Sequence, residues 1–368
     1  MALWLPAAVL LCAPVAPGLA GNGDGAANLR VDPGWRLLDE RRYQHALDEF
    51  IRAARRAPAD GTSRLGIAFS QRALGRPEQA VEAGEQALKL EPQLPLAHRL
   101  LGDLYLAQDE PAAAVPHYRA ALQEDPNDVE LLANLRSAEG HAQADAGLDR
   151  LFSRRAIVKF KGSAGSDGRA LADVVAERLD RVAEDIGSVI GYHAKDRVVV
   201  VLHEDQQFRA ENGSTPWVNG FYDGRIHLSG ARVAGGGAGL VALLRHEYAH
   251  AVVRRMSDGR APTWLDEGLA VYFERKPARP RKSGPLMPLS ALHGDFLGLS
   301  KEEARAAYAA SYRATRVLID RYGLPAVGRL LEALPQAVDF PRAFEQVFHA
   351  PYHEFEARWA IIPTKKKT

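Results

Sequence analysis

Apolar residues recur at helical spacing along most of the chain and take a strand-like pattern only between residues 155 and 228. Residues 170–190 carry one apolar stripe, which predicts an amphipathic helix. Residues 155–161 alternate as a half-buried strand does, whereas residues 197–202 are apolar almost throughout, as a central strand is. Residues 217–228 predict a hairpin or a bent strand that turns at Asp223-Gly224. This part of the chain therefore predicts a small sheet set among helices.

A second regularity precedes the sheet, where small residues and prolines recur every 34 positions. The recurring sets are Pro58, Pro92 and Pro126; Gly34, Ala68 and Gly102; Ala46, Ala80 and Ala114; and Ala53, Ala87 and Ala121. Small side chains let paired helices approach closely, and proline ends the second helix of each pair. This period is the tetratricopeptide signature, so residues 33–143 are identified as a tetratricopeptide repeat domain. Such a domain favours a peptide-binding scaffold; the alternative is a spacer that only positions the C-terminal part of the chain.

The candidate chemistry lies in an apolar run over residues 240–253, which predicts a buried helix. The run contains His246, Glu247 and His250. Because residues four apart share one face of a helix, the two imidazoles can hold one zinc ion with Glu247 beside it. A catalytic zinc site needs a third protein ligand, and Glu267 follows His250 by seventeen residues, after a turn.

The segments His-Glu-Tyr-Ala-His and Trp-Leu-Asp-Glu-Gly-Leu-Ala together resemble the gluzincin metallopeptidases. The resemblance is closest to the peptidase MA-like domains that are often joined to tetratricopeptide repeats. It implies that His246, His250 and Glu267 bind zinc and that Glu247 is the general base. It also implies a zincin-like metallopeptidase domain over residues 150–362.

Further positions follow from the same resemblance. Val271 stands where the thermolysin branch has an Asp, whereas Glu274 matches the later Glu of the aminopeptidase branch, which makes support of a His by Glu274 possible. The segment 307–312 resembles the Ala-Tyr-x-x-Ser segment that follows the zinc site in related domains. Gluzincins often steady the oxyanion with a Tyr or His, so Tyr308 is the first candidate and Tyr312 the second. Packing in the core is the alternative for both.

The strand-like residues 217–229 have two interpretations. In gluzincin folds an edge strand beside the cleft pairs with extended substrate, and this segment is the candidate for that strand. The alternative is a strand that belongs only to the core sheet. His227 is expected at the surface of the strand in either case.

Composition and the N-terminus add the cellular setting. A formal net charge of +1 gives no electrostatic field for nucleic acid, and Cys12 as the only cysteine excludes disulfides and cysteine zinc sites. Residues 1–20 predict a secretory signal, because a short apolar run precedes small residues suited to cleavage. The chain is thus expected to be exported, periplasmic or extracellular. Membrane association is expected only if Cys12 is lipidated.

The sequence as a whole predicts the α+β class, with an N-terminal α-helical tetratricopeptide solenoid followed by a zincin-like (gluzincin) domain that has a small mixed sheet and a helical C-terminal part. The expected function is an exported zinc metallopeptidase that cleaves peptide bonds with Glu247 as base, its repeats recruiting a protein substrate or partner. The alternative is a non-catalytic adaptor or assembly protein with a structural metal domain. The presence of Glu247 favours the enzyme, since an inactive relative would be free to lose it.

Overall fold

The computed structural model of the chain describes residues 33–162, 167–194, 197–205, 208, 220–274, 288–294, 296 and 299–359. The predicted signal over residues 1–20 and the start of the predicted hairpin lie outside them. The chain divides into two compact units, Met1–Ala146 and Gly147–Thr368. Both units are rich in helix, and the sheet lies in the second unit, so the α+β class is confirmed.

Seven helices follow one another in the described part of the first unit, each packed mainly on its neighbours along the chain. They are α1 (Pro33–Asp39), α2 (Tyr43–Arg56), α3 (Gly61–Ala73), α4 (Pro77–Leu90), α5 (Pro95–Ala107), α6 (Pro111–Ala121) and α7 (Val129–Ala144). The helix starts obey the 34-residue period. Asp60 and Asp128 lie 68 positions apart, and each carboxylate caps the helix that follows it. The intermediate helix lacks such a cap and begins at Pro95, whose fixed φ suits a first helical position.

The repeats are packed through their small residues. Ala46, Ala80 and Ala114, which share one position of the period, are fully buried. A Cβ atom on Gly102 would lie 2.6 Å from the ring of Tyr118, so only glycine permits that contact without movement of the ring. The period therefore marks the positions where neighbouring helices come closest.

The second unit contains a mixed five-stranded sheet in the order β1-β2-β3-β5-β4. The strands are β1 (Asp149–Phe152), β2 (Ala156–Phe160), β3 (Val198–His203), β4 (Gly220–Tyr222) and β5 (Ile226–Ser229). Strands β2, β3 and β5 are parallel, whereas β1 and β4 pair antiparallel at the two edges. The predicted hairpin is thus β4 and β5, and β4 is an edge strand, as the substrate-pairing hypothesis requires.

Helices complete the second unit. They are α8 (Gly168–Ile190), α9 (Gly230–Ala234), α10 (Gly237–Ser257), α11 (Thr263–Phe273), α12 (Lys301–Tyr322), α13 (Leu324–Ala333), α14 (Phe340–Phe348) and α15 (Tyr352–Arg358), with short 3-10 turns at Leu289–Leu292 and Leu334–Gln336. One hydrophobic core joins the inner face of the sheet to α8, α10, α11 and the C-terminal helices. Helix α10, which carries the candidate histidines, runs through that core. None of the helices in the described ranges has both the length and the apolar content of a membrane crossing.

Two expectations about the strands are wrong. Every residue of β2 is buried, including Lys159, although alternation predicts a half-buried strand. Ala156, Val158 and Phe160 face the hydrophobic core as alternation predicts, and Ile157 and Lys159 on the opposite face are buried as well. His227 is not a surface residue either, since its ring stacks on Phe221 at 4.4 Å and Nδ1 lies 2.8 Å from Nε2 of His203. The hairpin of β4 and β5 brings Phe221 beside it, and the pairing of β3 with β5, which the sequence does not predict, brings His203.

Candidate metal centre

The turn between α10 and α11 creates the site. Helix α10 ends at Asp258, which adopts the left-handed conformation at a φ of 51°, and Gly259 follows at a φ of 69°. Glycine reaches this region without strain and Asp tolerates it better than most residues. The chain then reverses, and Pro262 in an extended conformation starts α11. Two successive helices are thereby packed against each other over a short connection.

Three of the predicted residues converge at this packing. The candidate ligand atoms of His246, His250 and Glu267 all lie within 4.8 Å of one another. The two imidazole rings are 5.0 Å apart on one face of α10, and Nε2 of His250 lies 3.7 Å from Oε2 of Glu267. Across the described residues, this trio is the group of His, Cys, Asp and Glu side chains whose ligand atoms converge closely enough to hold one ion.

The surroundings of Glu267 fit a cation. Its Oε2 atom is buried and accepts no hydrogen bond from the part of the chain that the structure describes. Burial raises the pKa of Glu267, although the charge of His250 opposes the shift. A buried acceptor without a partner costs about 1–3 kcal/mol, and more when it is charged. Two imidazole nitrogens and one carboxylate oxygen form the donor set of known catalytic zinc sites, so the residues present fit that metal.

His250 has a second carboxylate partner that the sequence analysis did not identify. Its Nδ1 atom lies 2.9 Å from Oδ1 of Asp266, which precedes Glu267 on α11. Burial lowers the pKa of His250, but the charges of Asp266 and Glu267 outweigh it and raise that pKa to about 10. The carboxylates of Asp266 and Glu267 thus stabilise a positive charge on the ring of His250.

The other histidine is held more loosely. Oε2 of Glu274, at the C-terminal end of α11, lies 3.8 Å from Nδ1 of His246, which is longer than a hydrogen bond. Glu274 is the residue for which the sequence analysis considered support of a histidine, and the structure places it beside His246. Glu247 lies on the buried side of α10 with only 3 % of its surface exposed. Burial raises its pKa, while His246 and His250 lower it.

Tyr308 on α12 reaches the same region. Burial raises its pKa, and the charges of Glu267 and Glu247 act in the same direction. The side chain is still 36 % exposed and packs edge-on against Phe296 at 5.5 Å. Tyr312, the second candidate, hydrogen-bonds to Arg316 instead. Of the two tyrosines, Tyr308 is thus the one whose pKa responds to the carboxylates of Glu267 and Glu247.

A glycine sets the distance between α11 and α12. A Cβ atom on Gly268 would lie 2.5 Å from the backbone oxygen of Ser311 and would collide with the hydroxyl of Thr315. Ala310 and Ala314 are also buried on this side of α12. These small residues allow α11 and α12 to pack closely at Gly268, the residue that follows Glu267. The sequence contains the signal, Gly directly after Glu267, but not its partner on α12.

Comparison with known proteins identifies the first unit. The tetratricopeptide repeat family model matches residues 32–95 and again residues 66–129. No curated protein was found to match the chain. Together with the helices of Pro33–Ala144, the match establishes that the N-terminal region consists of tetratricopeptide repeats, which generally mediate binding to other proteins.

Proposed function

We propose that the second unit is a zinc metallopeptidase of the gluzincin type and that the repeats recruit its protein substrate or partner. The observation that carries the proposal is the convergence of His246, His250 and Glu267, with a buried oxygen of Glu267 that has no hydrogen-bond donor among the described residues. The order of sheet, histidine helix and glutamate helix along the chain also supports a zincin-like fold.

The proposed chemistry is hydrolysis of a peptide bond. His246, His250 and Glu267 would hold a zinc ion, which would supply Lewis acidity to the scissile carbonyl and to the attacking water. Glu247 takes one proton from the attacking water, whose oxygen bonds to the carbonyl carbon. Glu247 then passes that proton to the nitrogen as the carbon–nitrogen bond breaks, so an acid and an amine leave. Tyr308 donates a hydrogen bond to the oxygen that becomes negative.

The decisive experiment replaces the base. Glu247→Gln keeps the size of the side chain but removes its capacity to accept the proton. Hydrolysis of an unfolded protein is expected to slow by at least ~10²-fold, mainly in kcat, while zinc content stays unchanged. Glu302→Gln on the exposed first turn of α12 is the matched control and should behave as wild type. Equal zinc-dependent activity in wild type and Glu247→Gln would place the base elsewhere.

Tyr308 is tested by removal of its hydroxyl. Tyr308→Phe should lower kcat by roughly 10²-fold, the scale on which one oxyanion donor contributes, and leave KM nearly unchanged. Tyr312→Phe removes the same group four residues away and should have little effect on turnover. A larger loss of activity in Tyr312→Phe than in Tyr308→Phe would reverse the assignment.

A second function is favoured by the repeats themselves. If the second unit is not catalytic, the chain is an adaptor or assembly protein in which the repeats bind a partner and the metal is structural. Absence of hydrolysis by zinc-loaded wild-type protein across a broad peptide library, together with partner binding by the repeats, would establish this alternative.

Export is part of the same proposal and is supported by the sequence of residues 1–20. The mature protein is expected in the periplasm or outside the cell, with its N-terminus near Gly21. N-terminal sequencing of the protein recovered from each fraction tests this. Recovery of a lipid-modified chain that begins at Cys12 would mean that the protein is anchored to a membrane and is not secreted.

A further inference from the structure

Helix α11 presents two adjacent acids to the candidate site, and they face different atoms of one imidazole. Glu267 has its Oε2 3.7 Å from Nε2 of His250, whereas Asp266 has its Oδ1 2.9 Å from Nδ1 of the same ring. Neighbouring residues on a helix project about 100° apart, which accounts for the division between the two side chains. Nε2 of His250 therefore faces Glu267, whereas Nδ1 faces Asp266.

Which nitrogen of a neutral histidine can bind a metal depends on where its proton sits. A proton on Nδ1, donated to a carboxylate, leaves the lone pair on Nε2, and the same hydrogen bond fixes the rotation of the ring. At His250 the carboxylate of Asp266 lies at hydrogen-bond distance for this purpose. At His246 the carboxylate of Glu274 is 3.8 Å away.

Asp266 is not a fourth ligand. Its oxygen is bound on the Nδ1 side of the ring, opposite the nitrogen that faces Glu267, and it does not belong to the group whose ligand atoms converge. Its side chain is 33 % exposed, whereas that of Glu267 is 17 % exposed. A carboxylate placed behind a ligand, rather than beside the ion, acts on the metal only through that ligand.

We propose that Asp266 is a positioning residue, which holds His250 in the tautomer and ring orientation that direct Nε2 toward the metal. The inference rests on the proposed zinc site. The resemblance to known peptidases directs attention to the positions of Val271 and Glu274 for this support, and the geometry assigns it to Asp266 instead. Because Asp266 and Glu267 are consecutive, any shift of α11 moves the third ligand and the support of the second ligand together.

The test measures zinc affinity of the full chain by competition with a chromogenic chelator, so that no activity is needed. Asp266→Ala should weaken zinc binding by roughly 100-fold and Asp266→Asn by roughly tenfold, because the amide oxygen can still accept from Nδ1. Asp258→Asn is the control: it removes a carboxylate from the adjacent turn, where Asn also tolerates a positive φ, and should bind zinc as wild type does.

Cobalt substitution supplies a second readout. The visible spectrum of the Co²⁺-loaded protein reports ligand geometry and should change in Asp266→Ala but not in Asp258→Asn. Zinc affinity within about twofold of wild type in both Asp266 variants, with an unchanged cobalt spectrum, would overturn the positioning role, because loss of a carboxylate that supports a ligand should weaken binding at least about tenfold. If Asp266→Ala does not fold, Asp266→Asn alone decides by the same criterion. Failure of the wild type to bind zinc would instead defeat the proposed function.

Discussion

Asp103 in the first unit and Glu267 in the second are largely buried carboxylates with opposite surroundings. In the repeats, Asp103 accepts a hydrogen bond from the hydroxyl of Tyr118 at 3.1 Å and pairs with Arg72 at 3.3 Å. In the second unit, Oε2 of Glu267 is buried without any donor in the described part of the chain. Burial raises the pKa of both groups. Asp103 thus has hydrogen-bond donors within its own unit, whereas Oε2 of Glu267 has none among the described residues and is available to a bound cation.

The difference extends to how glycine is used. Gly102 admits the ring of Tyr118 at one position of a repeated pattern, so its contact serves the packing of successive helices. Gly268 admits the backbone of Ser311, and this close approach sits directly beside Glu267. Absence of a side chain lets successive helices pack closely in the repeats. In the second unit it lets α11 approach α12 directly after Glu267.

The largest effect is expected at the candidate metal centre. His250→Ala removes one of three donors, and the protein, expected to bind about one zinc per chain, should lose nearly all of it at micromolar metal. His353→Ala removes an exposed histidine of α15 and should leave the metal content unchanged. Atomic absorption after dialysis measures both. Full zinc content in His250→Ala would mean that His250 is not a zinc ligand.

Sequence reasoning captured the parts of the molecule that repeat or that lie on one helix. The 34-residue period located the helices of the first unit, and the spacing of His246 and His250 placed both on one face of α10. The turn between α10 and α11 also indicated that Glu267 could return to that face. These inferences succeed because helix geometry is local and needs no knowledge of distant residues.

Contacts between elements distant in sequence were not predictable in the same way. Lys159 is buried in a strand between β1 and β3, and His227 lies beside His203 because β5 pairs with β3. The role of Gly268 requires α12, more than forty residues later. Asp266 was visible in the motif, but only the packing of α11 on α10 shows that it reaches His250.

A smaller effect tests whether close packing, rather than helix propensity, decides the role of glycine in the repeats. Gly102→Ala should destabilise the repeats by about 1–3 kcal/mol, because the added methyl group overpacks against Tyr118. Gly140→Ala on α7 meets nothing within 4 Å and should stabilise by about 0.5–1 kcal/mol through helix propensity. Urea unfolding followed by circular dichroism separates the two. Stabilisation in both variants would mean that Tyr118 moves aside at no cost.

The smallest effect concerns the helix caps that recur with the period. Asp60 accepts from the backbone amides of Thr62 and Ser63 at 3.1 Å each, so Asp60→Ala should cost about 1 kcal/mol in the urea unfolding of the repeats. Asp60→Asn keeps an oxygen acceptor of the same size and should lose far less, since Asn caps helices as well as Asp does. Equal losses in the two variants would show that the charge of Asp60, and not its capping hydrogen bonds, stabilises the start of α3. The start of α3 would then depend on charge, as the proposed zinc site does, and this similarity would weaken the contrast drawn between the two units.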